Sequence, residues 1–201
     1  MKIPQLLWRI PLGTLGGLVA LYTFPTENIW ILTPLIPALT LLATLGLGFW
    51  SATLVGFFAS QAFYIAHIEW ISLYLGPIPL IALTTLQTFF FAVGVGATAW
   101  LYKKWKPKKD ALLLFALAAA SIWTAREFLA NNFPYGGFPW SRLAMTQPGS
   151  FMSQWVFFGG LSLLTFVLAL TGSILAIWFL HRKGRNSLKK VPALAMIAAI
   201  V

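Results

Sequence analysis

The chain has 201 residues, of which 59% are hydrophobic and 9% are charged, and its formal net charge is +10. A soluble domain is about 45–50% apolar and about 25% charged, so this composition excludes an ordinary soluble protein and indicates an integral membrane protein. Because the sequence contains no cysteine, disulfides, thiolate metal ligands and a cysteine nucleophile are excluded within these residues.

The first half of the chain is predicted to contain four membrane-spanning helices separated by short turns. These spans cover residues 10–24, 29–46, 48–65 and 80–101. The first is shorter than the roughly 20 residues needed to cross the hydrocarbon, so Trp8 and Tyr22 are expected to anchor it at the interfaces. Gly13 and Gly17 form a GxxxG pair, which indicates either close helix contact or simply the usual glycine content of membrane helices.

Two patterns in this half concern the shape and packing of the helices. Pro34 and Pro37 lie near the start of the second predicted span and should deform its first turn. Ala52, Gly56 and Ser60 recur every fourth residue in the third span and form a face of small side chains. This face should pack against another helix.

The second half is predicted to add two complete spans and the start of another. The complete spans cover residues 111–129 and 160–180, and an apolar run at 191–201 is interpreted as an incomplete seventh span. Residues 151–180 are too long for one upright helix, so Gly159-Gly160 should break them, and residues 130–159 are predicted to form a re-entrant or interfacial segment. Because a stable protein should not stop within a span, the sequence is interpreted as a fragment or a shortened chain.

These elements predict an all-α fold, namely a polytopic transmembrane helix bundle with a cytoplasmic amino terminus. In that orientation twelve of the fourteen Lys and Arg residues are cytoplasmic and only Arg126 and Arg142 are not, which satisfies the positive-inside rule. The loops at 25–28, 67–77 and 130–150 are then periplasmic. The basic clusters flank apolar runs, so they are expected to meet membrane lipids, and nucleic acid is not an expected partner.

The richest collection of polar and aromatic side chains lies at residues 123–149. Trp123 and Glu127 are four residues apart and share a helix face, whereas Arg126 points about 100° away from Glu127, so the two charged side chains are not expected to pair. A network or functional role is favoured for Glu127, because a short carboxylate side chain reaches the headgroups poorly. Arg126 should either face the interior or extend to lipid phosphate.

Residues 131–140 combine two glycines, two prolines and four aromatic rings. Such a segment cannot form a regular helix, yet it is too apolar for a solvated loop. We expect it to enter the membrane interface, with its backbone hydrogen-bonded to protein or water. It could form a mouth that admits lipid, or a rigid aromatic belt that only fixes helix ends.

Six short motifs follow one another along the chain in the order of a known family. They are His67-Ile68-Glu69-Trp70-Ile71, Lys104-Trp105-Lys106-Pro107, Trp123-x-x-x-Glu127-Phe128-Leu129, Gly137-Phe138-Pro139-Trp140, Gln147-x-Gly149 and Gly159-Gly160-Leu161-Ser162. Together they resemble the membrane half of bacterial apolipoprotein N-acyltransferases. Pro134-Tyr135-Gly136 and the end of the chain depart from that family's pattern.

The resemblance implies an enzyme of the bacterial inner membrane whose helices carry a periplasmic nitrilase-like domain with a Glu-Lys-Cys triad. In this family the cysteine takes an acyl chain from a phospholipid donor, typically phosphatidylethanolamine, as a thioester. It passes the chain to the amino group of the diacylglyceryl-cysteine of an apolipoprotein acceptor. No metal and no diffusible cofactor are implied.

No catalytic residue is carried over to this chain, because it has no cysteine and no soluble domain to supply the base. What the resemblance implies here is positioning or binding of lipid substrates by six residues. They are Trp123, Glu127, Gly137, Phe138, Pro139 and Trp140.

The alternative interpretation is a non-enzymatic membrane protein, either a small transporter or a scaffold for lipoproteins. A transporter should show repeated polar residues near the middle of its spans, and only Gln87 and scattered Ser and Thr residues occur there. A scaffold stays open, because a membrane half without its catalytic domain would behave as one.

Overall fold

A computed structural model describes residues 3–25 and 27–181, and this part of the chain is helical without any β-strand. Its α-helices are α1 (Ile3–Thr23), α2 (Leu35–Thr44), α3 (Phe49–His67), α4 (Trp70–Leu75), α5 (Pro77–Trp105), α6 (Leu112–Asn132) and α7 (Val156–His181). Five helical segments, which contain α1, α3, α5, α6 and α7, are long and apolar enough to cross a membrane. The chain is therefore a multi-pass membrane protein of the all-α class, as its composition predicts.

The second predicted span differs from the structure. Residues 29–46 contain a 3-10 turn at Trp30–Leu32 and then α2, which has 10 residues, fewer than the roughly 20 that an upright helix needs to cross the hydrocarbon. The segment nevertheless runs back from the end of α1 to its start, where Arg9 donates to the carbonyls of Ala43 and Leu45. Pro34 caps this helix and Pro37 lies in its first turn, and neither residue can donate a backbone hydrogen bond. The described residues thus hold five candidate spans where six were predicted, while the apolar run at 191–201 lies outside them.

Two other helices are longer than the predicted spans. α1 begins at Ile3, well before residue 10, and α5 runs for 29 residues to Trp105. The short helix α4 occupies a region that was predicted as a loop, and α5 starts directly after it at Pro77. Proline suits this first helical position, because its missing N–H has no partner there in any helix.

Glycine brings α1 and α3 into close contact. A Cβ added to Gly13 would lie 2.8 Å from Cγ1 of Val55, and one added to Gly17 would overlap the backbone carbonyl of Ala59. The close-contact interpretation of the GxxxG pair is therefore confirmed, with α3 as the partner.

The small-residue face of α3 packs against α5. Ala52, Gly56 and Ser60 are all buried, and a Cβ added to Gly56 would lie 3.1 Å from Cβ of Val95 and 3.2 Å from Cα of Ala92. The predicted packing role of this face is confirmed. The bundle therefore contains a layer in which α3 lies between α1 and α5.

The predicted break between residues 151 and 180 is also confirmed. Gly159 and Gly160 have non-helical backbone angles, and Gly160 has a φ of +66°, in the left-handed region that favours glycine. Before the break, 3-10 turns at Pro139–Ser141, Leu143–Thr146 and Phe151–Trp155 replace a regular helix. The location of residues 130–159 at a membrane interface stays a prediction.

We predict that Gly17→Ala lowers the stability of the bundle by about 1–3 kcal/mol, because α1 must move away from the Ala59 carbonyl to make room for the methyl group. Thermal unfolding of the purified protein in detergent measures the effect. Gly48→Ala is the matched control, since a Cβ there meets only the Lys103 ammonium at 3.8 Å. Equal melting temperatures for the two variants would contradict the close contact.

Candidate functional site

A buried carboxylate connects three separate parts of the chain. Glu127 lies in the second half of α6 with 5% of its surface exposed. Its Oε1 accepts hydrogen bonds from the indole N–H of Trp123 at 3.0 Å and the backbone N–H of Leu143 at 3.1 Å. Its Oε2 accepts one from the hydroxyl of Thr165 on α7 at 3.0 Å. The network role predicted for Glu127 is confirmed.

Arg126 is also buried, and it lies beside this carboxylate. Its guanidinium carbon is 4.3 Å from the centre of the Phe91 ring and 4.1 Å from that of Trp123. Its NH2 group is 3.8 Å from Oε1 of Glu127, so the prediction that these two residues do not pair is wrong. The helix directs the two side chains apart, but the long arginine stem lets the guanidinium lie against the two rings, within reach of Glu127.

Gly94 on α5 provides the space for this arrangement. A Cβ added to Gly94 would lie 2.6 Å from Cδ of Arg126. Arg126 therefore packs against bare backbone and faces the bundle interior, and it does not extend to lipid phosphate. Glu127 and the two aromatic faces compensate part of the buried charge.

A small cavity of about 30 Å³ adjoins the charged pair. Tyr64, Arg126, Glu127 and Ser141 line it together with apolar residues of α1, α3 and α5. The buried atoms Nε of Arg126 and Oγ of Ser141 make no hydrogen bond within the protein. The cavity has room for roughly one or two atoms the size of a water oxygen, so it suits water or a small polar group and not an acyl chain.

We call the buried pair of Arg126 and Glu127, with the donors around it, the polar centre. Next to it, the chain folds back over the end of α6. The backbone N–H of Phe138 donates to the carbonyl of Ala130 at 2.9 Å, and that of Gly137 donates to Pro134 at 2.8 Å. Gly137 has a φ of +71°, and a Cβ there would overlap the backbone of Asn131. Only glycine fits this position, which explains why the segment turns where it does.

The aromatic side chains of this segment stack on α4. Trp140 lies 5.1 Å from the ring centre of Trp70 at an interplanar angle of 29°, and 6.1 Å from that of Phe138 at 16°. Several neighbouring rings are exposed. We call this set the aromatic face, and it comprises Trp70, Tyr74, Phe133, Tyr135 and Trp140. Ring contacts thus join Trp70, Tyr74, Phe138 and Trp140, and the exposed Phe133 and Tyr135 lie in the adjoining segment where α6 stops.

The structure divides the six predicted site residues into two connected layers. Trp123 and Glu127 are buried, whereas Trp140 is 56% exposed. Phe138 and Pro139 lie beside Trp140, in the segment that begins at Gly137. The chain leaves Trp140, enters the interior at Leu143, and there donates its backbone N–H to Glu127. A hydrogen bond at Leu143 thus links the polar layer to the segment that carries Trp140.

Other members of the site carried weaker sequence signals or none. Arg142 donates to the hydroxyl of Ser162 at 2.9 Å, and the side-chain amide of Gln147 donates to Thr33 at 3.0 Å. Ser162 and Gln147 lie within two of the sequence motifs, but those motifs assign no role to either residue. Thr165 had no signal, because an isolated threonine in an apolar run is usually bonded within its own helix.

Comparison with known proteins finds a family model and several relatives that carry the same name. Residues 16–174 match the family model described as the apolipoprotein N-acyltransferase N-terminal domain. The apolipoprotein N-acyltransferase of Pseudomonas putida is 29% identical over 194 residues, covering 93% of this chain and 38% of the relative.

Two further apolipoprotein N-acyltransferases are similar. That of Azotobacter vinelandii is 37% identical over 103 residues, covering 49% of this chain and 19% of the relative. That of Vibrio vulnificus is 25% identical over 173 residues, covering 83% of this chain and 34% of the relative. The chain therefore spans at most about two fifths of the length of these relatives.

We predict that Thr165→Val destabilises the protein by about 1–3 kcal/mol, because Oε2 of the buried Glu127 loses its hydrogen-bond donor. Thr171→Val on the same helix is the matched control, since the buried Thr171 hydroxyl donates only to the Val167 carbonyl of its own helix. Thermal unfolding in detergent compares the two. A smaller loss in Thr165→Val than in Thr171→Val would show that the contact between helices contributes nothing.

Proposed function

The chain belongs to the apolipoprotein N-acyltransferase family, and on that premise we propose that it is the membrane part of such an enzyme. The proposed reaction transfers an acyl chain from a phospholipid to the amino group of the N-terminal diacylglyceryl-cysteine of apolipoproteins. Both substrates are held in the bilayer by their own acyl chains. The membrane part therefore has to admit them from the side and hold the reacting groups at one depth, which is catalysis through positioning.

One observation carries this proposal: Glu127 joins α6, α7 and the segment after Trp140 through three buried hydrogen bonds. Such a network costs free energy to bury unless every member is satisfied, and once satisfied it fixes one geometry. Its geometric result is the aromatic face, held above a rigid polar centre. A segment of glycine, proline and aromatic residues would otherwise have many conformations of similar energy.

The aromatic face supplies the lipid contact in this proposal. Tryptophan and tyrosine rings favour the depth of the lipid headgroups, where their polar atoms meet water and their carbon atoms meet acyl chains. We place this face at the periplasmic surface of the inner membrane, with the amino terminus in the cytoplasm and the loops at 25–28, 67–77 and 130–150 outside. In this scheme, Gly137, Phe138, Pro139 and Trp140 receive the lipid tails.

The chain's own contribution is positioning and not the nucleophile. Transfer through a thioester needs a thiolate, and the 201 residues contain no cysteine. The buried residues Trp123 and Glu127 act by keeping the aromatic face in place, and neither one needs to touch the reacting carbonyl. The reaction requires no metal and no diffusible cofactor.

We predict that Glu127→Gln in the full-length enzyme lowers acyl transfer roughly tenfold to a hundredfold, because the network no longer balances the charge of Arg126 and the aromatic face shifts. Transfer of a radiolabelled acyl group to a lipoprotein peptide in proteoliposomes gives the rate. Glu27→Gln, which removes an exposed carboxylate just after α1, is the matched control.

A milder variant separates loss of function from loss of folding. Trp123→Phe keeps an aromatic ring against Arg126, and it removes the indole N–H donated to Glu127 together with a small part of the ring volume. If this variant and a folded Glu127→Gln protein both transfer acyl chains at the wild-type rate, the network has no role in positioning and the proposal fails.

We further predict that Trp140→Ala raises the KM for phospholipid several-fold and changes the melting temperature little, because more than half of the side chain is exposed. Trp8→Ala removes a similarly exposed tryptophan from α1 and serves as the control. An unchanged KM in Trp140→Ala would leave the aromatic face with a purely structural role.

A further inference from the structure

An open apolar groove lies between α3 and α5, away from the polar centre. Its volume is about 550 Å³, within the range of about 300–1,000 Å³ that is typical of ligand sites. Trp50, Leu54 and Phe57 line one side, and Phe89 and Val93 line the other. None of the groove residues belongs to the Glu127 network or to the aromatic face.

The groove offers a ligand almost no free hydrogen-bonding groups. The Thr53 hydroxyl donates to the carbonyl of Phe49 in its own helix, and the Thr88 hydroxyl donates to the side chain of Gln61 at 2.6 Å. Apart from the Thr85 hydroxyl, the surface left for contact is therefore hydrocarbon and aromatic carbon. On the outside of a membrane bundle, such a surface suits the acyl chain of a lipid.

One end of the groove meets a cluster of lysines. Gly48 directly precedes Phe49, the first lining residue, and a Cβ added to Gly48 would lie 3.8 Å from Nζ of Lys103. Lys104 and Lys106 are also exposed and follow Lys103 closely in sequence. Within the described ranges, none of these lysines forms an ion pair. Positive charge without a protein counter-charge is what an anionic headgroup requires.

The groove is long enough to take an acyl chain through one leaflet of the bilayer and extends somewhat beyond it. At 1.5 Å per residue, Val93 and Phe89 lie roughly 15 Å and 21 Å along α5 from Lys103, and half of the hydrocarbon core is about 15 Å thick. Phe57 lies roughly 14 Å along α3 from Gly48 by the same measure. An acyl chain that starts at the lysines would thus run the length of the groove.

We propose that this groove is a binding site for an anionic phospholipid, with an acyl chain between α3 and α5 and the headgroup phosphate at Lys103. The site lies at the end of the bundle opposite the aromatic face, because α3 begins at Phe49, next to Gly48, and ends at His67, three residues before Trp70 of the aromatic face. Lipid at this site stabilises the packing of α3 on α5 and is not consumed as a substrate. The proposal does not depend on the acyl-transfer reaction.

Native mass spectrometry of the purified 201-residue protein tests the site, with palmitoyl-oleoyl phosphatidylglycerol or palmitoyl-oleoyl phosphatidylcholine added to the detergent. We expect one phosphatidylglycerol to be retained in preference to phosphatidylcholine. Lys103→Gln should lower the affinity for phosphatidylglycerol about fivefold, whereas Lys109→Gln, which removes the same charge farther along the loop, should change it little. A circular dichroism melt confirms that each variant is folded.

A second pair of variants tests the acyl part of the site. Val93→Trp places a large side chain in the groove and should lower the retention of both lipids, whereas Leu114→Trp alters a lipid-facing position on α6 and should leave retention unchanged. Equal retention of the two lipids, equal losses in Lys103→Gln and Lys109→Gln, or full retention in Val93→Trp would each overturn the proposal.

Discussion

The structure depends on the burial of a carboxylate inside an apolar bundle. An unpaired charge at such a position costs several kcal/mol, so Glu127 can be buried only where donors surround it. Those donors come from Trp123, from the backbone of Leu143 and from Thr165. One side chain thus sets the spacing of α6 and α7 and the path of the irregular segment between them, and segments far apart in sequence have to meet at its oxygens.

The α3 helix connects the two ends of the molecule that have distinct chemistry. At its first residues it lies beside Lys103 and the apolar groove. At its last residue the ring of His67 lies 4.2 Å from that of Phe24 and 4.7 Å from that of Phe63. Between these ends the small side chains of α3 let α1 and α5 approach closely. The bundle therefore has a tightly packed centre between the two ends at which we propose lipid contacts.

The sequence predicts the long helices and their closest contacts because both depend on local patterns. Apolar length identifies the spans, and the spacing of Gly13 and Gly17 identifies a face that can approach another helix. α2 was predicted as a span because the apolar run at 29–46 continues through the prolines that shorten the helix. Hydropathy measures the composition of such a run, and not how much of it is helical.

The candidate site could be predicted only in part, because its contacts join residues that are far apart in sequence. The shared helix face of Trp123 and Glu127 was visible in their spacing, but Thr165 lies 38 residues beyond Glu127 in the chain. The pairing of Arg126 with Glu127 depends on the rings of Phe91 and Trp123, which guide a long flexible side chain in a direction that helix geometry alone does not indicate.

The close approach of Gly94 to Arg126 restricts how this pair of helices can change over evolutionary time. A methyl group at position 94 would occupy the space of the arginine stem. A lineage could therefore enlarge residue 94 only after residue 126 had become shorter, and a shorter residue 126 would leave Glu127 without its neighbouring positive charge. Substitutions at Gly94, Arg126 and Glu127 are thus acceptable only in a particular order. Gly94 takes part in this restriction although it lies on α5 and has no side chain.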